Sequence, residues 1–230
     1  MKVVVVSGAS GNLGQAVVQY FLAVSYQVIG LVRSKAKEGS YENYEEMEVD
    51  LLDEKATQDC VDAILEKYNK IDVAVLTAGG FKSGAIGKTF REDLEHQYRL
   101  NFLTAFHFAR PALLHMKKQE SGRLFFIGSE PGMDTSKGTN NVAYSLSKSQ
   151  LFQLANIFNS ETKELDVKTY VIVPSTIDTP ENRKAMPKAD YSKWEKPEEI
   201  ASIIGRYSKH STASDNMFVI VSDIIKGSVF

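Results

Sequence analysis

Residues 3–14, Val-Val-Val-Val-Ser-Gly-Ala-Ser-Gly-Asn-Leu-Gly, decide the architecture of this chain. Val3–Ser7 is a continuous run led by four β-branched valines rather than an alternating one, which predicts a strand buried on both faces rather than one wet face. Leu13, Ala16, Val17, Tyr20, Phe21 and Val24 then recur at helical spacing. The turn between them carries Gly8, Gly11 and Gly14. Glycines let a backbone approach a pyrophosphate, and the helix N-terminus stabilises its charge. A glycine turn alone is equally consistent with a tight connection that binds nothing. The order strand, loop, helix favours a dinucleotide.

Outward from that unit, β-branched runs alternate with helical segments. Strands are predicted at Val28–Val32, Met47–Asp50, Asp72–Leu76, Leu124–Gly128, Val171–Val173 and Met217–Val221. Helices are expected from Glu54 to Tyr68, Arg91 to Met116, and Val142 to before Asp166, with another started by Pro197. The long one presents Leu94, Tyr98, Phe102, Ala105, Ala109 and Leu113 on its apolar side. Residues 175–196 read as a long irregular segment. This is the pattern of an α/β single-domain Rossmann fold spanning residues 1–230, a doubly wound parallel sheet of about seven strands with helices on both faces.

Composition narrows the function. The 230 residues carry a net charge of −2, which gives no reason to expect nucleic acid or an anionic membrane as partner. Cys60 is the only cysteine and falls on an apolar helical stripe, so an inert core thiol is expected and no disulfide. His96, His107, His115 and His210 lack metal-ligand spacing, so surface or capping roles and no metal are expected. The opening apolar run is too short for a signal peptide, and no stretch reaches the roughly 20 apolar residues of a membrane span. A cytoplasmic setting is the expectation. The acidic run Glu42–Glu48 reads as a solvated segment.

Polar residues that interrupt this pattern carry the chemistry. Tyr144 and Lys148 are four apart on one predicted helix, so both project from one face. A lone Tyr-x-x-x-Lys is common by chance. Here Ser129 ends the fifth strand, at the sheet edge where α/β folds bind ligands, and Asn101 interrupts an apolar helix side. Such an amide is either structural or anchors a water. At the end of the second strand, Val32 stands where an acid would bind a ribose 2′-hydroxyl. Arg33 and Ser34 follow, with Lys35 and Lys37 close behind. An arginine there offers a charged fork to a 2′-phosphate, so NADP(H) is favoured and NAD(H) is the alternative.

Asn101, Ser129, Tyr144 and Lys148 resemble, position by position, the catalytic tetrad of the short-chain dehydrogenase/reductase family. The loop Ser7–Gly14 resembles that family's T-G-x-x-x-G-x-G, with Asn12 in the place of the middle glycine. Asn12's tolerance of left-handed geometry is expected to preserve the loop. The resemblance implies that Gly8, Ser10, Asn12, Leu13 and Gly14 hold the cofactor pyrophosphate. It further implies that Asp50 and Leu51 line the adenine, and that Ala78, Gly79 and Gly80 pass under its ribose. Pro174, Ile177 and Thr179 would meet the nicotinamide carboxamide. Tyr144 would give a proton to the substrate oxygen, Ser129 would hydrogen-bond that oxygen, and Asn101 would complete the proton path. Lys148 would hold a ribose hydroxyl and lower the phenol's pKa.

The stretch Thr176–Trp194 resembles the matching segment of the dihydropteridine reductases, as does an aromatic after Gly79-Gly80. Met186, Tyr191 and Trp194 would then form an apolar lid. Those enzymes carry the acid that favours NADH and lack the serine and asparagine of the tetrad, whereas this chain has Val32, Ser129 and Asn101. The expected activity is reduction of a small carbonyl or quinonoid molecule. Dihydropteridine reduction proper and a non-catalytic dinucleotide sensor are the alternatives. Phe102, Phe106, Leu151, Phe152 and Phe158 give more apolar surface than one sheet face needs, so a homodimer or homotetramer is expected.

Overall fold

Val3–Ser7 forms β1 with all five residues buried, as a continuous rather than alternating run predicts. The computed structural model describes residues 1–34, 42–209 and 217–227; Lys35, Lys37 and His210 lie outside them. The other strands are β2 (Gln27–Val32), β3 (Tyr44–Glu48), β4 (Val73–Leu76), β5 (Ser121–Ile127), β6 (Asp166–Val173) and β7 (Phe218–Ile220). They make one sheet in the order β3-β2-β1-β4-β5-β6-β7, and every neighbouring pair is parallel. Strand order therefore reverses at β1, which opens a crevice beyond the carboxyl ends of β1 and β4.

Side chains alternate across a strand, so a sheet covered on both sides needs two apolar faces. Val4, Val6, Val28, Phe125 and Ile172 meet α1 (Asn12–Ala23) and α8 (Pro197–Tyr207) on one face. Val3, Val5, Ile29, Leu124 and Phe126 meet α2 (Glu54–Tyr68), α4 (Thr104–Gln119) and α6 (Val142–Glu161) on the other. Phe21 and Phe108 are wholly buried in these layers, each contributing about 1.5–3 kcal/mol by leaving water. Cys60 is buried as expected, and burial pushes its thiol up to about 11.

The sheet departs from expectation at its edge. The third strand forms at Tyr44–Glu48 rather than Met47–Asp50, so most of the acidic run is strand and not a solvated segment. Its backbone pairs with β2 while Glu45 accepts from Lys67 Nζ at 2.7 Å and Tyr68 Oη at 2.6 Å. Charged side chains on an edge strand discourage pairing with other chains, which reconciles the composition with the strand.

The long helix forms without a gap from Arg91 to Gln119, but its register changes on the way. It divides into α3 (Arg91–Tyr98), a π-helical turn (Arg99–Leu103) and α4, and Leu94 and Tyr98 are exposed rather than on the buried side. Two further helices, α5 (Glu130–Met133) and α7 (Pro180–Ala185), are too short to show a periodicity. The segment expected to be irregular thus holds α7 and a 3₁₀ turn at Tyr191–Lys193, capped by Thr179 and Asp190. The chain ends its last strand at Ile220 and turns into α9 (Val221–Ile225). Leu151, Phe152 and Phe158 belong to the core, so they leave no surplus for a partner; the exposed apolar residues of α6 are Leu146 and Ile157. Among the described residues, no helix is long and apolar enough to cross a membrane.

Candidate active site

The glycine turn folds tightly over the start of α1. Gly8 has φ of +65°, which L side chains rarely adopt, and a Cβ on Gly14 would lie 2.1 Å from the Gly8 oxygen. Asn12 is already helical, so the loop keeps its shape without the left-handed asparagine anticipated from the sequence. Leu13 and Gly14 are buried beneath the turn. Beside it, at the strand reversal, opens a cavity of about 420 Å³.

Of the residues expected to bind cofactor, Gly8, Ser10, Arg33, Ser34, Asp50, Leu51, Ala78 and Gly79 line this cavity. Arg33 and Ser34 are exposed there, beside the buried Val32. Asn12, Leu13, Gly14, Gly80, Tyr144, Lys148, Pro174, Ile177 and Thr179 do not contribute to its wall. Thr77, which opens the Thr77-Ala78-Gly79-Gly80 stretch, also lines the cavity, as do Leu100 and Thr104, which sequence reasoning missed. Thr77 Oγ1 donates to the Ser7 oxygen at 2.6 Å, tying β4 to β1 at the reversal. His107 departs from its expected surface or capping role. Its half-buried ring has Nδ1 2.9 Å from the Leu51 oxygen, supporting the wall below Asp50. Thr104 and His107 sit among Ala105, Phe108 and Ala109, an apolar setting that gives no sequence signal of a polar role.

The four tetrad positions meet at the carboxyl edge of the sheet. Ser129 follows β5, is 4% exposed, and caps α5 by accepting from Gly132 N at 3.2 Å. Tyr144 and Lys148 share a face of α6, with the ammonium 5.9 Å from the phenol ring centroid. Lys148 is buried and donates to the Ile127 oxygen at 2.7 Å. A Cβ on Gly79 would lie 2.7 Å from Asn101 Oδ1 and 3.5 Å from Lys148 Nζ, so the cavity wall and the tetrad converge at Gly79.

Asn101 sits in the π turn, a feature that often accompanies functional sites. Its Oδ1 accepts from Gly80 N at 2.9 Å, and its Nδ2 donates to the Gly80 oxygen at 3.0 Å. Gln97 Oε1 and Ser147 Oγ lie 3.1 Å from the same Nδ2. These partners satisfy the buried amide with protein groups and fix the Gly79–Gly80 loop.

Burial raises the Tyr144 phenol above its ordinary value, and a hydrogen bond with Ser129 offsets part of that rise. Burial pushes Lys148 down to about 8. The lysine's expected lowering of the phenol is therefore not what dominates in the chain alone: its own desolvation comes first.

Aromatic rings stand beside Tyr144 and within residues 175–196. Phe81 is exposed and stands edge-on to Tyr144, with centroids 4.9 Å apart. Tyr191 and Trp194 pack together at 4.8 Å, and Arg183 lies over Tyr191 while pairing with Asp178 at 2.6 Å. Met186 is exposed. Asn12 Nδ2 donates to Glu181 Oε2 at 2.8 Å, joining α7 to the glycine turn. Among the described residues, no group of three or more His, Cys, Asp or Glu side chains is arranged to hold a metal.

Comparison with known proteins places these features in company. The sequence profile of the short chain dehydrogenase family matches residues 2–190. The chain is 23% identical over 219 residues to the 3-oxoacyl-(acyl-carrier-protein) reductase FabG of Thermotoga maritima, covering 88% of each. It is 26% identical over 218 residues to dihydropteridine reductase of Dictyostelium discoideum, covering 91% of this chain and 89% of that one. The solved structure of ElxO with NADP bound superposes with a TM-score of 0.87 at 22% identity, covering 95% of this chain and 96% of that one. Ligand-free aldohexose dehydrogenase of Thermoplasma acidophilum gives 0.83 at 23% identity, covering 100% and 96%.

Proposed function

The chain belongs to the short-chain dehydrogenase family of oxidoreductases, and we propose that it is an NADP(H)-dependent reductase of small carbonyl or quinonoid molecules, with Tyr144 as proton donor. The observation that carries this reading is the convergence at Gly79 of the cavity wall with Lys148 and Asn101. The cavity suits a dinucleotide. Its glycine turn leaves backbone open at a helix N-terminus, and its far end offers Arg33 and Ser34 with no acid at Val32. ElxO, which shares the fold, has been solved with NADP.

In this reading Gly8, Ser10, Asn12, Leu13 and Gly14 hold the pyrophosphate, and Arg33 with Ser34 takes the 2′-phosphate. Asp50 and Leu51 flank the adenine, while Ala78, Gly79 and Gly80 pass under its ribose. Pro174, Ile177 and Thr179 meet the carboxamide. When bound, the cofactor supplies hydride to the substrate carbon. Ser129 Oγ donates to the substrate oxygen and stabilises its developing charge. Tyr144 Oη delivers the proton. Lys148, in its charged form, favours the phenolate left behind; each unit of pKa is worth about 1.4 kcal/mol. Asn101 keeps Gly79 and Gly80 in register with these groups and completes the proton path.

The test is turnover of a panel of ketones, aldehydes and quinonoid pterins with NADPH and with NADH. Consumption of NADPH with at least one ketone or aldehyde is expected. Binding of NADPH without turnover of any member would instead mark a dinucleotide sensor. A second reading, quinonoid dihydropteridine reduction proper, is favoured by the likeness to the Dictyostelium discoideum enzyme along nearly the whole chain. Turnover confined to the quinonoid pterin would select it.

A further inference from the structure

We propose that Glu195 is a positioning residue that holds Ser175–Thr179 in place for the nicotinamide half of the cofactor, an inference that rests on the cofactor reading above. Glu195 is 4% exposed, at the far end of the lid segment. Its Oε2 accepts from Ser175 N and its Oε1 from Ser175 Oγ, both at 3.0 Å. The backbone grips the same stretch. Glu195 N donates to the Thr176 oxygen at 2.9 Å, and Asp178 N donates to the Glu195 oxygen at 2.8 Å. These bonds form a parallel bridge between Ile177 and Glu195. The grip passes onward, because Asn182 Nδ2 donates to the Ile177 oxygen at 2.8 Å and Thr179 caps α7.

A buried carboxylate is costly unless its hydrogen bonds are made. Desolvation raises the pKa of Glu195; the two bonds from Ser175 work against this, while Glu130 and Glu199 add like charge. This is a poor place for an acid chosen for stability alone. It is a good place for an acceptor-only group, because two oxygens can receive both the N–H and the O–H of Ser175 and so fix that residue's backbone and side chain together. The segment so held carries Ile177 and Thr179, while the adenine end of the cavity lies on the far side of β1. Loss of the clasp therefore loosens one half of the cofactor site and spares the other.

The experiment compares wild type, Glu195→Ala, Glu195→Gln and Ser175→Ala in the full chain by titration with NADPH and with adenosine 2′,5′-bisphosphate, which lacks the nicotinamide half. Glu195→Ala is expected to weaken NADPH about tenfold and to leave the bisphosphate within about twofold. Glu195→Gln should restore NADPH to within about threefold, since an amide can accept from Ser175 N and donate to Ser175 Oγ. Equal losses for both probes, no loss for NADPH, or a Glu195→Gln variant as weak as Glu195→Ala would overturn the proposal. If Glu195→Ala does not fold, Ser175→Ala, which keeps the N–H bond, is expected to weaken NADPH alone by about threefold. Wild type that binds neither probe would overturn the cofactor reading itself, a different outcome from wild type that binds both while no variant discriminates.

Discussion

Lys148 donates to the carbonyl of Ile127 at 2.7 Å, which ties a buried ammonium to the last residue of β5, two positions before Ser129. Burial lowers this lysine from 10.5 to about 8. Below about 8, folded and unfolded chains both carry the proton and the burial cost is fully present. Between that value and 10.5 the unfolded chain holds more protons, so stability rises with pH. Urea unfolding of wild type and Lys148→Met should show wild type gaining on the variant between about pH 7 and about pH 10, by on the order of 3 kcal/mol in the limit. A gap that does not change with pH would contradict the assignment. The free enzyme's kcat/KM should also fall as pH rises through about 8, where Lys148 loses its charge.

Arg33 is exposed beside the cavity and next to Val32, so its effect should be confined to the 2′-phosphate. Arg33→Ala is expected to weaken NADPH by about tenfold or more and to leave NADH nearly unchanged. Binding titrations showing equal losses for both would remove Arg33 from the site.

Asn101 donates toward three oxygens, those of Gly80, Gln97 and Ser147. Asn101→Asp sets a carboxylate oxygen against them in a buried site. A loss of about 2–4 kcal/mol in stability is expected from urea midpoints, together with a drop in turnover. A variant as stable as wild type would mean that the amide is not what fixes Gly80.

Of the apolar residues expected to serve assembly, Phe102 and Phe106 remain only partly buried, while Leu151, Phe152 and Phe158 are core. Tyr98, Phe102 and Phe106 form a run of stacked rings, at 5.2 and 5.9 Å, across the π turn. Leu146 and Ile157 are exposed on α6. Closed symmetric assembly through these helices makes a homodimer or homotetramer the expected state. Sedimentation at micromolar concentration should show it, and Ile157→Glu should shift it toward monomer. Wild type that stays monomeric throughout would reject it.

The parts of this molecule legible in the sequence are those whose side chains report their surroundings. Val3–Ser7 declared a strand buried on both faces, and Tyr144 with Lys148 declared a shared helix face. β3 was misread because an edge strand carries charge, so Glu45 and Glu46 looked like solvated chain. The π turn at Asn101 left no mark, because a change of helical register is a backbone property. Thr104 and His107 were hidden inside an apolar stripe, and their partners Leu100 and Leu51 are backbone oxygens with no side-chain signature. Glu195 was invisible for another reason. Its meaning comes from Ser175, and only the folding of residues 175–196 brings the two together.

The central claim is that Tyr144 gives the proton, and Tyr144→Phe tests it most directly because only the hydroxyl is removed. A phenyl ring can keep the packing against Phe81, and Tyr144 does not line the cavity, so cofactor binding is expected to survive the change. Single-turnover measurement with a substrate found in the NADPH panel gives the rate of reduction apart from binding. The variant is expected to bind NADPH within about twofold of wild type and to reduce substrate about 10²-fold more slowly or worse. A variant that reduces substrate at close to the wild-type rate would contradict the account.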